Sequence, residues 1–496
     1  MPQEKSLTSQ EREFFTLVQK AAIANPFGEQ RLSLDLQIAS GEGESNGGHQ
    51  IDKTLRVLED QLQALGDSGR DDLNAFSGKD KKLLEDVYLF DFFYRFRKKF
   101  DDHIRAQIKT EDKILKLNFA GEAIAVLQSR GFSPPEIKHA IEMGYQLRRA
   151  FYFINQSLIG RSQVMKKLRF DLWNNIFTHN LSMYDAYLRG RMEDFSTLLL
   201  GETGTGKGTV AAAIGRSGHI PFNMKRRVFT ESFTSNFKSI NLSQYPENLI
   251  ESELFGHKKG SFTGAVENHV GVLENCSPHG SILLDEIGEI SQPVQIKLLQ
   301  VLQERFFYPV GSHVKAPFHG RVIGATNQKL NELRTSGKFR DDFFYRLCSD
   351  VITVPPLRQR IQEDPLELDD LLSHIVSKTV GKPSPELEDM VKQVIEKNLG
   401  PEYPWYGNVR ELEQCVRRVL LKKDYGGDKK YAPTDLQSKL AAALETGDMP
   451  AQMLMAGYCK LLHLRHGTFE EVARRISLDR RTVTKYISEW DQQDEE

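Results

Sequence analysis

Cysteine is scarce in this chain. Its four residues, Cys276, Cys348, Cys415 and Cys459, are too scattered for a zinc knuckle or a redox pair and read as thiols of a reducing cytoplasm. Long apolar runs are missing too. No stretch approaches the ~20 residues that cross a bilayer, and the amino terminus carries acids among polar residues where a secretory signal would be basic and then apolar. No membrane partner is expected, and the expected location is the bacterial-type cytoplasm. Net charge is nearly absent: 66 Lys and Arg against 68 Asp and Glu leave −2, so any DNA-binding surface has to be local. What remains is a 496-residue chain, 39% hydrophobic, enough for about three folded domains.

The most informative segment is Gly201-Glu202-Thr203-Gly204-Thr205-Gly206-Lys207-Gly208. It lies between the apolar run Leu198-Leu199-Leu200 and the helix-forming Val210-Ala211-Ala212-Ala213. In that setting glycines let backbone N–H groups turn onto phosphates, the following helix presents its positive end, and Lys207 neutralises charge. A second element is Gly280-Ser281-Ile282-Leu283-Leu284-Asp285-Glu286, an apolar run ending in two acids. It suits a buried parallel strand that delivers carboxylates to the carboxyl edge of a sheet. Asp285 is placed to hold magnesium and Glu286 to polarise an attacking water, since two such acids are costly there without a metal or other partners. The two elements together predict a nucleoside triphosphate site.

Around this core the chain divides by pattern. Residues 1–150 look separate and mainly helical, a regulatory region whose input is not readable and which lacks the acidic pattern of a phosphate-accepting receiver. Within it, alternating Leu32, Leu34, Leu36 and Ile38 suggest one strand, and Gly41 to Gly48 a flexible loop. Ile51 to Leu65 and Lys81 to Lys109 have helical periodicity, and Ser133-Pro134-Pro135-Glu136 has capping-box spacing. The aromatics Tyr88, Phe90, Phe92, Phe93, Tyr94 and Phe96 read as core or oligomer packing in preference to a ligand cage. From 155 to 355 strand-like and helical runs alternate, predicting an α/β core with a parallel sheet covered on both faces. Residues 356–432 read as a helical lid, and 436–496 as a third helical segment with an acidic tail from Asp491.

The hexapeptide Gly260-Ser261-Phe262-Thr263-Gly264-Ala265 places a phenylalanine between flexible glycines, poorly suited to a core and better suited to a moving contact surface. Here residues 155 to 425 resemble the ATPase domain of the sigma-54-dependent transcriptional activators, the bacterial enhancer-binding proteins of the AAA+ superfamily. The family loop reads Gly-Ala-Phe-Thr-Gly-Ala, and the resemblance implies that Phe262 and Thr263 touch sigma-54. It implies that Asn241 bonds Glu286 and couples nucleotide state to the loop, and that Thr326 and Asn327 form sensor I. Arg340 and Arg346 match the two arginines that reach a neighbouring subunit's nucleotide. On a straight helix six residues subtend about 240°, so one is expected to be a finger and the other a clamp. Pro404-Trp405-Tyr406-Gly407-Asn408-Val409-Arg410-Glu411-Leu412 places Arg410 at sensor II, and Leu158-Ile159-Gly160-Arg161-Ser162 places Ile159 and Gly160 against the adenine. The implied cofactors are ATP and Mg2+, and the implied assembly is a hexamer.

Three departures stand out. Gly208 replaces a residue that is Ser or Thr in generic phosphate loops and commonly Glu in this family, Ser261 replaces alanine, and the connection to Asn241 is long, with the basic run Lys225-Arg226-Arg227. At the carboxyl end, Thr468 to Ile487 has two helical patterns joined near Ser477, which stands where glycine is commoner. It reads as a Fis-like helix-turn-helix with Val472, Ala473, Ile476, Leu478, Val483 and Ile487 inside. Arg480, Arg481, Thr484 and Lys485 are then exposed toward double-stranded DNA, read as a dimer. The leading expectation is an ATP-hydrolysing activator that remodels sigma-54 RNA polymerase holoenzyme. The alternatives are a DNA-bound AAA+ regulator without remodelling and a remodeller of another target.

Overall fold

The computed structural model describes residues 5–39, 47–427, 436–447 and 449–493. The chain forms two compact units, one of Met1–Val391 with Gly407–Arg417 and one of Lys392–Tyr406 with Arg418–Glu496. The predicted loop from Gly41 lies outside the described residues up to position 46, and so does the tail beyond 493.

The first unit opens with α1 (Ser9–Ile23), whose start is fixed by reciprocal bonds between Thr8 and Glu11. Next comes α2 (Glu29–Ile38), where the alternation of leucines predicts a strand. The buried residues are instead Arg31, Leu34, Asp35 and Ile38, a helical stripe, while Leu32 and Leu36 are each 51% exposed. The Arg31–Asp35 pair at 2.9 Å fixes that phase. Then follow α3 (Gly47–Asp67), α4 (Gly78–Arg95), α5 (Arg97–Thr110), α6 (Ala120–Ser129) and α7 (Pro134–Ser157). The capping-box spacing at Ser133 is realised: its N–H donates to Glu136 at 2.7 Å. The long helical pattern through residue 109 is interrupted at Phe96, where α4 gives way to α5.

After α8 (Gln163–Phe177) and the short α9 (Leu181–Met183) the α/β core begins. Its strands are β1 (Thr197–Leu200), the hairpin β2 (Phe222–Asn223) and β3 (Val228–Phe229), β4 (Phe237–Asn241), β5 (Ser281–Asp285), the hairpin β6 (Phe306–Phe307) and β7 (Ala316–Pro317), β8 (Arg321–Thr326) and β9 (Asp350–Thr353). The main sheet is parallel in the order β4-β5-β8-β1-β9. Its register pairs Asn241 with Asp285, Asp285 with Ala325, and Leu200 with Thr326. The polar residues that end these strands therefore gather at one carboxyl edge. The core helices are α10 (Lys207–Gly215), α11 (Glu247–Phe255), α12 (Gln292–Glu304), α13 (Leu330–Thr335) and α14 (Asp341–Leu347). Helices α15 (Leu357–Glu363), α16 (Leu366–Val380), α17 (Pro385–Asn398) and α18 (Asn408–Lys422) follow, in the stretch read as a lid.

Packing does not respect a boundary near residue 150. One apolar cluster runs from Leu7 through Phe100, Ile154 and Val210 to Val354. Buried Arg149 of α7 donates to the carbonyls of Arg216 and Gly218, each at 2.6 Å, and so caps the negative end of α10. The long connection before Asn241 has a place in this arrangement. The N–H of Leu117 donates to Arg227 at 2.9 Å, Phe229 stacks on Tyr145 at 3.9 Å, and Phe233 meets Phe153 edge-on at 5.4 Å. Hydroxyls of Ser232 and Thr234 donate to the Glu111 carbonyl at 2.9 and 2.6 Å. The inserted hairpin is the strap that binds the core to α5–α7.

In the second unit, α19 (Leu436–Thr446) and α20 (Ala451–His466) precede α21 (Phe469–Ile476) and α22 (Arg480–Gln493). Val472, Ala473, Val483 and Ile487 are buried with Cys459 and Leu462 of α20, while Ile476 and Leu478 are partly buried against them. Ser477 sits between α21 and α22 at φ 57°, a left-handed turn.

Candidate functional site

The loop after β1 is held on three sides. Gly204 has φ +82°, and a Cβ there would lie 2.2 Å from the Gly407 carbonyl and 3.0 Å from the Arg410 Cβ. Gly206 has φ +103° and open space around it, facing the first turn of α10. Lys207 is buried, and its ammonium donates to the Gly201 carbonyl at 2.8 Å and the Glu202 carbonyl at 3.2 Å. Burial lowers its pKa, with Glu286 and Asp285 opposing that and Arg410 adding to it. Thr205 donates to the Glu202 carbonyl at 2.9 Å, closing the turn. The exposed Gly208 brings no ligand atom.

Two residues outside the sequence prediction hold this loop. Arg358 makes a two-pronged contact with Glu202, at 2.8 and 2.5 Å, and keeps that carboxyl below its usual range. Asn408 is fully buried; its amide N–H donates to Glu202 and to the Thr203 carbonyl, both at 3.1 Å, and its carbonyl accepts from the Leu357 N–H at 2.7 Å. The signal for Asn408 stood in the motif around Arg410. For Arg358 it was only an arginine beside the first turn of a helix.

At the strand ends, Asp285 accepts the Glu286 N–H at 3.1 Å. Glu286 has left-handed backbone, φ 55°, and its buried Oε2 has no hydrogen-bond partner. Burial raises its pKa above the ordinary carboxyl value; Lys207 opposes this and Asp285 adds to it. Thr326 is buried and its hydroxyl accepts the Gln328 N–H at 3.1 Å, while Asn327 donates to Thr203 at 2.8 Å, joining the end of β8 to the loop. Asn241 lies beside Asp285 by register but does not bond Glu286 as expected: its side-chain oxygen accepts from the Ser243 N–H at 3.0 Å and hydroxyl at 2.7 Å, a local turn that outcompetes the longer reach.

These groups fit a triphosphate and its cation. The unpartnered oxygen of Glu286 and the Asp285 carboxylate are the hard oxygen donors Mg2+ takes when phosphates supply its other ligands, while Lys207 and the open start of α10 suit the phosphates themselves. Among the described residues no group of three or more acids, His or Cys forms a metal site without them.

The predicted Ile159-Gly160 segment is tied to α15 and α16. Arg360 donates to the Ile159 carbonyl at 2.6 Å and pairs with fully buried Glu367 at 2.6 Å. Gly160, at φ +133°, would place a Cβ 2.0 Å from that carboxylate. Arg340 and Arg346 do not share a straight helix as the angular argument assumed. Arg340 precedes α14 and pairs with Asp342 at 2.6 Å, whereas Arg346 donates to the Leu302 carbonyl at 2.7 Å and lies 3.4 Å from Asp194.

Beyond α11, the loop with Phe262 and Thr263 is closed by Gly260 N–H to Ala265 carbonyl at 2.8 Å. Phe262 is 37% exposed, edge-on to His257 at 4.9 Å, and Thr263 is exposed. The tip of the β6–β7 hairpin packs on it: a Cβ on Gly311 would lie 2.5 Å from the Ser261 Cβ, and Lys258 N–H donates to Val310 at 3.0 Å. The Ser261 hydroxyl is buried without a partner. In the second unit Arg480, Arg481, Thr484 and Lys485 are exposed on α22; Arg480 pairs with Glu470 at 2.7 Å and Lys485 with Glu489 at 3.6 Å.

A parallel sheet with a glycine-rich loop after β1, an acid pair at the end of β5 and Thr326 and Asn327 at the end of β8 is a phosphate-loop type of α/β core. Residues 179–353 match the family described as the sigma-54 interaction domain. That segment contains the glycine-rich loop, the acid pair and the Phe262 loop that carry the resemblance. The chain is 37% identical over 269 residues to the Nif-specific regulatory protein of Azotobacter vinelandii, covering 54% of this chain and 47% of that one. It is 29% identical over 432 residues to the hydrogenase transcriptional regulatory protein HoxA of Bradyrhizobium diazoefficiens, covering 81% and 84%. The crystal structure of NtrX from Brucella abortus in complex with ATP aligns over 75% of this chain and 80% of that one, at 20% identity and TM-score 0.41. The chain spans about half the length of several curated relatives it matches.

Proposed function

We propose that this protein is a DNA-tethered activator that hydrolyses ATP to remodel sigma-54 RNA polymerase through the Gly260–Ala265 loop. The observation that carries the reading is one unit holding both the phosphate loop with its acids and a half-exposed Phe262 beside Thr263, braced by the β6–β7 hairpin. Asp285 would hold Mg2+, which would supply charge neutralisation at the phosphates. Lys207 and the loop amides bind the phosphates. Glu286, with its raised carboxyl pKa and free oxygen, takes the proton of the attacking water as the bond to the γ-phosphoryl group breaks, giving ADP and phosphate. Asn241 would exchange its Ser243 bonds for Glu286 when nucleotide is present. Arg340 and Arg346 would exchange their intrachain partners for a neighbour's nucleotide, which makes hydrolysis depend on a ring, a hexamer by resemblance. Arg410 beside Gly204 would report the phosphates to the lid over 356–432.

Helix α22 would enter the major groove, with Arg480, Arg481, Thr484 and Lys485 on phosphates and base edges, and a dimer would read a two-fold operator. The region 1–150 would act as a structural support of the ATPase, because its core is continuous with that of the sheet. The test is transcription in vitro from a sigma-54 promoter carrying the operator. The intact chain is expected to support ATP-dependent open complexes and Lys207→Ala to abolish them; opening that persists in the variant would refute the reading.

A further inference from the structure

The aromatic stretch read as packing does two jobs. Tyr88 and Phe96 are buried, but Phe90, Phe93 and Tyr94 line a cavity of about 540 Å³ with Phe151 and Trp173. That size is typical of small-molecule sites. Its charged side chains are already matched. Arg31 pairs with Asp35 at 2.9 Å, Arg148 with Asp101 at 2.6 Å and Asp185 with Arg189 at 3.5 Å, and Asp185 is also hydrogen-bonded to His139 at 2.8 Å. Arg97 likewise pairs with Asp52 at 2.7 Å, and Asp86 with Lys82 at 3.1 Å. A charged ligand would lose its hydration there without gaining a counter-ion, whereas flat apolar rings would stack on the aromatic wall.

The cavity also touches the ATPase core. Trp173 belongs to α8, and Leu181, Ser182 and Asp185 on the wall lie at the start of the family-matched segment. Two residues on, Asn175 of α8 donates to Thr197 of β1 at 2.9 Å and to Asp350 of β9 at 2.6 Å, and accepts from Arg321 of β8 at 2.9 Å. These strands lead to the phosphate loop and sensor I. We propose that this cavity is an effector site for an uncharged, planar, multi-ring aromatic molecule, and that α8 passes its occupancy to the nucleotide site. The coupling half rests on the ATP reading; the binding half does not.

A matched probe pair tests it on the full chain. N-phenyl-1-naphthylamine is uncharged, and 8-anilino-1-naphthalenesulfonate has the same rings with an added anion. The uncharged probe is expected to bind saturably, one per chain, at least tenfold tighter than the sulfonate. Ala22→Trp, filling the wall, should weaken it at least tenfold. Leu32→Arg, at a half-exposed lining position, should narrow the preference by adding an unpaired cation. Equal affinities, or affinities unmoved by both variants, would overturn the site. Saturating probe should shift the affinity for a non-hydrolysable ATP analogue at least threefold, with the same factor in reverse. Probe binding with no such shift would overturn the coupling. Lys207→Ala should retain probe binding while losing nucleotide, so failure of the ATP reading is seen separately.

Discussion

Two glycines of the phosphate loop should fail for different reasons. Both Gly204 and Gly206 have positive φ, +82° and +103°, so alanine at either costs about 1–3 kcal/mol of backbone strain, less about 0.4–1 returned by a stiffer unfolded chain. At Gly206 nothing lies within 4 Å of the added methyl, and strain is the whole cost. At Gly204 the methyl would stand 2.2 Å from the Gly407 carbonyl oxygen, so the start of α18 must move by about an ångström, adding about 1–3 kcal/mol. With about 1 °C per kcal/mol for a unit of this length, Met1–Val391 with Gly407–Arg417, Gly206→Ala should lower its unfolding midpoint by roughly 1–2 °C, and Gly204→Ala by about twice that. Nucleotide separates them further. The open side of Gly206 is where phosphate would approach, so Gly206→Ala should lose the midpoint rise that ATP gives to the parent chain. The assay is thermal unfolding with and without a non-hydrolysable ATP analogue. A Gly204→Ala chain as stable as Gly206→Ala would refute the close packing of loop on α18, and undiminished nucleotide stabilisation of Gly206→Ala would refute its place in the phosphate site.

Other outcomes follow from single residues. Glu286→Gln should stabilise the nucleotide-free chain by about 0.5 kcal/mol, a buried-charge penalty discounted for partial exposure, because it removes a half-buried charge with one unpartnered oxygen. Its folded pKa is raised, so the penalty grows as pH rises above the ordinary carboxyl range; the gain should be larger at pH 8 than at pH 5 in thermal unfolding, and the reverse order would contradict this. Burial, with Arg149 nearby, lowers the pKa of His103 to about 4 from 6.5, so the unfolded chain takes up a proton first as pH falls. Stability present above pH 6.5 is therefore lost on the way down to pH 4, by up to about 3 kcal/mol in all. His103→Leu should flatten that slope, measured as the difference in unfolding midpoint between pH 7 and pH 5. Ser477→Gly should stabilise the second unit by about 0.5–1 kcal/mol, since serine there holds a left-handed turn at φ 57°; a lowered midpoint would count against that turn.

What the sequence disclosed and what it concealed differ by the range of the interactions involved. The phosphate loop, the acid pair and the Phe262 loop are written in consecutive residues, because the backbone must turn or end there whatever lies around it. Asn408 and Arg358 brace the loop from 206 and 156 residues away, and no local spacing announces such a partnership. The alternation Leu32 to Ile38 misled because Leu34 and Ile38 belong equally to a strand face and to a helical stripe; only the buried Arg31–Asp35 pair decides between them. The inserted hairpin was unreadable for the same reason, since Phe229 and Phe233 make sense only against Tyr145 and Phe153. The local bond from Ser243 to Asn241 shows the opposite case, a short-range turn prevailing over an expected longer contact.

The most direct measurement is retention of purified sigma-54 by the intact chain with ADP-aluminium fluoride, beside nucleotide-free chain and Thr263→Ala. Retention only with the analogue, and lost in the variant, is the predicted result. No retention by a chain shown to bind the analogue and to assemble would contradict the claim that the Phe262-Thr263 loop engages sigma-54.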